Sequence, residues 1–125
     1  YVADNNNNTK GGARKLWRFD LRRDGTVDKK SQKLVFDWET SRGPDGLKED
    51  ATGRLYVAGG LKGRNEYESP DKYRGGVYVL TPEGKLERFV EIPVDEVTNV
   101  AFGGKDGKTL YVTAGGTLWS LAVGR

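Results

Sequence analysis

With 125 residues, 31% of them charged and 35% hydrophobic, and a formal charge of +3, the chain is the size of one domain and can bury a core. No apolar run approaches the roughly 20 residues of a membrane helix and no signal-peptide pattern opens the chain, so no membrane partner is expected and no compartment is assigned. Zero Cys and zero His exclude disulfides, thiolate and Ser-His-Asp catalysis, and the usual zinc and non-haem iron sites.

Any metal must therefore be held by oxygen, which favours calcium or magnesium, and any general base must be a carboxylate, Lys or Tyr. Lys and Arg are interleaved with Asp and Glu and form no basic stripe, so no nucleic-acid partner is expected. A chain that opens with Tyr1 and contains no Met reads as a segment of something longer.

The N-terminal "YVAD" runs into "DNNNNTK" (4–10), where Asp4, Asn6 and Asn8 alternate as at the start of an EF-hand. The pattern then fails: Thr9 stands where the Gly belongs and Lys15 where the bidentate Glu belongs, leaving a polar loop. Strand-like runs follow at "KLWRFDL" (15–21) and "KLVFDW" (33–38), separated by the turn "RRDGT". Next come "RGPDG" and the short strand "DGLKED", then the turn "DATGR" and the strand "RLYVAG" (54–59). The loop "GGLKGRNEYESPDKYRGG" (59–76) lacks the Gly-Lys-Ser/Thr ending of a phosphate loop and reads as a surface excursion. Tyr67 and Tyr73 are its candidates for stacking on a sugar ring. The remaining strands are "GVYVLT" (76–81), "LERFVEI" (86–92), "NVAFGG" (99–104), "TLYVTA" (109–114) and "TLWSLAV" (117–123), with "TPEGK", "KDGKT" and "AGGT" as tight turns.

These runs repeat. "YVAD", "YVAG" and "YVTA" start at Tyr1, Tyr56 and Tyr111, each 55 residues after the one before. An aromatic-centred strand follows each, around Trp17, Tyr78 and Trp119, and these three residues are expected to pack blade against blade. A four-strand unit at this period is the signature of a β-propeller; a β-sandwich with coincidental spacing is the competing architecture. With strands lettered A to D outwards from the propeller axis, the chain reads B-C-D, A-B-C-D, A-B-C. The all-β fold is thus about two and a half blades: 1–41 ends one blade, 42–96 is a complete blade, and 97–125 is a last blade lacking its outer strand.

The stretches "GPDGLKEDATGRLYVAGG", "GGVYVLTPEGKLERFVEIP" and "TNVAFGGKDGKTLYVTAGG" together resemble the gluconolactonase/regucalcin (senescence-marker-protein) family of six-bladed propellers. Their order and spacing match that family's C-terminal half. The resemblance implies a sugar-lactone hydrolase in which a divalent cation, calcium first and zinc or magnesium as alternatives, polarises the lactone carbonyl while water attacks. It implies that Asp45, which matches the family's "PDG" motif, is a metal ligand and the catalytic carboxylate. The family's Asn and Glu ligands have no counterpart here, so the chain supplies one ligand of three and is expected to be a poor enzyme alone. The implied partners are the upstream half of the same ring or a second copy of this chain. A non-catalytic binding propeller and a self-associating half-propeller remain the other readings.

Without the family, Asp45 has two readings. Pro44 and Gly46 can fix a turn that aims the carboxylate into an axial channel, or Asp45 can simply cap that turn. Its repeat partner Asn99, reached by aligning "PDGLK" with "TNVAF", likewise either lines the channel and binds an ion or sugar hydroxyl, or makes backbone bonds.

Overall fold

Strands form where β-branched and aromatic residues run between turn residues. The computed structural model, which describes residues 1–123, contains ten of them and no helix among those residues. The first sheet joins β1 (Val2–Asn5), β2 (Arg14–Leu21) and β3 (Val27–Asp37) in that order. The second joins β4 (Leu47–Glu49), β5 (Leu55–Gly59), β6 (Gly76–Leu80) and β7 (Leu86–Glu91). The third joins β8 (Val97–Gly103), β9 (Thr109–Ala114) and β10 (Thr117–Ala122). Every pairing is antiparallel between sequence neighbours, so the three sheets are the B-C-D, A-B-C-D and A-B-C arcs of a propeller.

The central strands of the second sheet, β5 and β6, are apolar on both faces, and strand alternation assigns each residue to one side. Leu55, Val57, Tyr78 and Leu80 turn towards the first sheet, where they meet Leu16, Val35 and Trp38. Tyr56, Ala58, Val77 and Val79 turn towards the third, where they meet Val100, Leu110 and Val112. Aromatic edges lock both seams: Trp38 lies 5.3 Å from Tyr78 and Phe102 lies 5.0 Å from Tyr56, each T-shaped. Of the repeated aromatics, Tyr78 is buried in one seam and Trp119 packs against the other. Trp17 is half-buried, and its indole N–H donates to Asp4 Oδ2 at 3.2 Å.

Two strands start earlier than their apolar runs. β3 begins at Val27, not near residue 33, because "VDKKSQ" lies on a largely exposed outermost strand that needs no apolar alternation. β8 begins at Val97, with a register shift before Asn99.

Each of the two outward faces leaves apolar residues exposed. On the first sheet Val2, Trp17 and Leu34 lie side by side across the strands, and Val2 and Leu34 are 47% and 50% exposed. On the third, Tyr111 and Leu118 are 38% and 65% exposed, whereas Tyr56, one repeat earlier than Tyr111, is 7% exposed under Phe102.

Leu55 sits wholly inside a seam and Leu118 on an open face. In urea unfolding, Leu55→Ala is therefore expected to lower stability by about 2–5 kcal/mol. Leu118→Ala should change it by no more than about 0.5 kcal/mol.

Candidate functional site

The segment 42–46, "RGPDG", leads into β4 and is wedged between the two neighbouring blades. Its backbone is clipped to β5 and β8: the Gly60 N–H donates to Arg42 O at 2.8 Å, Asp45 N–H to Ala58 O at 2.8 Å, Ala58 N–H to Gly46 O at 2.9 Å, and Gly46 N–H to Thr98 O at 2.8 Å. Both glycines are required by close approach. A Cβ at Gly43 would lie 2.8 Å from Arg14 Cα on β2, and one at Gly46 would lie 2.0 Å from Asn99 Oδ1 on β8. Asp45 and Asn99 are thus brought to the same mouth, where the innermost strands of two blades meet.

Asp45 does not behave like the capping aspartates of this chain. Against the upward push of burial, Asp50 Oδ1 accepts from the Thr52 hydroxyl at 2.7 Å and from the Thr52 and Arg54 N–H groups at 2.8 and 3.0 Å, and these bonds hold its carboxyl below the usual range. No hydrogen-bond donor among the described residues reaches the Asp45 carboxylate. The residue is exposed, yet the walls of the mouth strip enough water that its pKa moves the other way: burial raises it, against a smaller pull downwards from the Arg42 guanidinium. Asn99 is also exposed, and its Oδ1 accepts from the following Val100 N–H at 2.9 Å. Among the described residues, no three acidic side chains stand together as a metal-holding group. An ion here would find one free carboxylate, Asp45, and an Asn99 carbonyl already engaged on one side.

The long loop 60–75 is anchored where a surface excursion was expected. Glu68 has a side chain with no exposure, although residues 63–67 before it are exposed. Its carboxylate accepts from Arg42 Nη2 at 2.8 Å, Arg42 Nε at 3.2 Å and Asn65 Nδ2 at 2.8 Å, and faces the buried Arg14 Nε at 3.8 Å. Ser69 N–H donates to Thr40 O, and Ser41 Oγ to Tyr73 O. Tyr73 is half-buried 5.3 Å from the Phe36 ring, which removes it as a sugar platform, while Tyr67 remains exposed. Sequence reasoning missed Arg42 and Glu68 because charges in a charged loop read as solvated, and nothing in the spacing separates the one that is buried.

A cleft of about 770 Å³ lies at the other end of the sheets, between the turns after β4 and β8. It is lined by Arg54, Tyr56, Arg88, Phe102 and Lys108 and contains neither Asp45 nor Asn99.

Residues 7–116 match the family model described as SMP-30/Gluconolactonase/LRE-like region. The chain is similar to Pentonolactonase XacC of Haloferax volcanii, 31% identical over 110 residues, 86% of this chain and 33% of that protein. It is also similar to Regucalcin of Sus scrofa, 42% identical over 72 residues, 56% of this chain and 20% of that protein. Regucalcin of Homo sapiens is 40% identical over 72 residues, with the same shares covered. The chain spans between a fifth and a third of the length of these curated relatives.

A carboxylate whose acidity is weakened by folding makes the native state bind protons more readily than the unfolded chain. Its contribution to stability therefore falls as pH rises through the ordinary carboxylate range. Asp45→Asn is expected to raise the thermal midpoint at pH 7, and the gain should vanish near pH 3, where both side chains are neutral. Thermal melts at the two pH values check this.

Proposed function

The chain belongs to the SMP-30/gluconolactonase/LRE-like family, and on that premise we propose that it is part of a sugar-lactone hydrolase whose mouth at Asp45 binds a divalent cation, calcium before zinc or magnesium. The observation that carries the reading is the Asp45 carboxylate, held on a turn fixed by four backbone bonds and left without a donor among the described residues. A functional carboxylate kept free for a ligand has this character, whereas Asp24 and Asp50 spend theirs on neighbouring N–H groups. The match over most of this chain to a protein named pentonolactonase supports sugar lactones as the substrate class.

The residues present fit such an ion in part. Asp45 would hold it through one carboxylate, with further oxygens from water, substrate and other blades, since calcium takes six to eight oxygen ligands. When bound, the ion would supply Lewis-acid polarisation of the lactone carbonyl. In hydrolysis the water oxygen bonds to the carbonyl carbon, the ring C–O bond breaks, and the ring oxygen leaves as a hydroxyl carrying a proton. Asp45 would position that water, take up its proton and pass it to the departing ring oxygen, and the Asn99 amide would bind a sugar hydroxyl beside it. Arg42 keeps a positive charge close by, which favours the ionised form of Asp45.

The two open faces favour a second reading, assembly of the ring from this chain and a partner arc. Val2 and Trp17 occupy the repeat positions of Val57 and Tyr78, which pack on a preceding blade. Tyr111 occupies the position of Tyr56, which packs on a following one. The faces are therefore complementary head to tail, and a second copy or the upstream half of the same ring can occupy them. A propeller that assembles without binding metal would be a non-catalytic platform.

Native mass spectrometry of the full chain, followed by calcium titration and a sugar-lactone assay, tests these readings. A dimer or larger complex holding a chelator-removable divalent ion, with calcium affinity and lactone turnover each falling at least about tenfold in Asp45→Asn, supports the hydrolase. Assembly without ion or turnover supports the platform. A monomer that takes up no calcium overturns the metal assignment to Asp45 in this chain.

A further inference from the structure

The entry to β8 has two flanks. On one, Asn99 faces the "RGPDG" turn, where a Cβ at Gly46 would lie 2.0 Å from its Oδ1. On the other, the preceding residue Thr98 turns its hydroxyl towards Thr113, and the two Oγ1 atoms are 2.9 Å apart. Thr113 alternates along β9 with Val112 and Ala114, which are buried in the seam with the second sheet, so the threonine pair stands on the outward face of the third. A cavity of about 410 Å³ opens there, walled by the pair, Glu96, the Gly115–Gly116 turn and Leu118, which lies opposite Thr113 in the register. It is at the same end of the sheets as the mouth, since the Thr98 carbonyl is the one that accepts from Gly46 N–H.

Packing does not call for these hydroxyls. One blade earlier, Thr98, Thr113 and Leu118 correspond to Pro44, Ala58 and Val77, and Ala58 and Val77 are wholly buried against the third sheet. Apolar groups suffice at those positions to seat a following blade, whereas a hydroxyl is costly to bury unless it is hydrogen-bonded. The charges around the cavity narrow its ligand further. Glu96 is exposed and its Oε1 lies 3.3 Å from Arg42 Nη1, so the carboxylate disfavours an anion and the guanidinium beside it disfavours a cation. A neutral ligand bearing hydroxyls fits what remains. Either threonine can be the donor of the pair, which can therefore meet a ligand hydroxyl as donor or acceptor, while the Glu96 carboxylate only accepts. Leu118, 65% exposed, offers an apolar surface to the C–H side of the same ligand. Gly115 and Gly116, with φ of 56° and 74°, turn the chain tightly and put no side chain over the opening.

We propose that the cavity beside Thr98 and Thr113 binds neighbouring hydroxyl groups of a neutral sugar: Glu96 accepts from one, the threonine pair exchanges hydrogen bonds with the next, and Leu118 lies against the carbon chain. The site is built from the far flank of the β8 entry and uses neither Asp45 nor an ion. That its natural ligand is the hydroxylated part of a sugar lactone rests on the hydrolase reading. The recognition of hydroxyls does not, and it is tested without metal or turnover.

The test is a methyl NMR titration of the full chain with ribitol, a neutral sugar alcohol, against pentanediol carrying hydroxyls only at its two ends. Ribitol is expected to shift the Thr98, Thr113 and Leu118 methyl signals saturably, and the diol to leave them in place. Thr113→Val keeps the branched shape on an exposed strand position and removes the hydroxyl, and it should weaken ribitol binding about fivefold. Absence of a saturable shift at those methyls in the wild-type chain overturns the proposal, as does a folded Thr113→Val protein that binds ribitol equally well. Shifts that follow protein concentration and not ribitol mark the pair as a contact between blades and overturn the sugar site equally. Ribitol binding that survives in Asp45→Asn, in a chain that takes up no calcium and turns over no lactone, supports this site and removes only the hydrolase reading.

Discussion

The arrangement depends on one constraint: the two central strands of the second sheet, β5 and β6, have no solvent face. Residues on neighbouring positions of β5 and β6 point to opposite sides, so burying both sides demands a sheet on each flank. That requirement, not any single contact, sets the blades face to face and brings the entries to β4 and β8 together. Gly43 and Gly46 are consequences of it. The "RGPDG" turn lies in the angle between blades, where β2 approaches on one side and β8 on the other, and neither approach leaves room for a Cβ. The mouth containing Asp45 and Asn99 therefore exists because the central strands behind it are apolar on both sides.

This explains which features could be read in the sequence. Strands buried on both faces, such as "LYVAG" and "GVYVL", announce themselves as unbroken apolar runs, and the 55-residue period then orders them into blades. The first half of β3 was invisible because an outermost strand in water carries no such pattern. The meeting of Asp45 with Asn99 was legible, since the repeat puts equivalent residues at equivalent entries. The Arg42–Glu68 tie was not. Whether a charged loop residue is solvated or enclosed depends on what folds over it, and local sequence does not carry that information. Tyr73 shows the same limit in reverse: an aromatic residue in a polar loop looked available, and it packs beside Phe36 and Tyr78.

Burying the Glu68 carboxylate is unfavourable unless its oxygens are satisfied, and here they are, by two nitrogens of Arg42 and by Asn65. Removing one partner from such a network typically costs about 3–5 kcal/mol, mostly for the charge left unpaired. A loop held in this way is not free to fray. It can act as a wall of the mouth although it has almost no regular secondary structure, and the charge balance of the wall is local: two guanidinium groups around one buried carboxylate, with Glu96 at the rim.

Asp45 shows the opposite treatment of a carboxylate. The chain gives Glu68 three donors and gives Asp45 none but a nearby charge, even though the mouth already strips some of its water. Closing further blades around that mouth would remove more water and make an unpaired carboxylate still less comfortable. On the proposed reading, a divalent cation relieves that strain. Its binding free energy is then linked to ring closure, because each closed face increases what the ion neutralises. Binding and assembly would reinforce one another, and the weak metal site expected of this arc alone and the open faces on either side of it would share one cause.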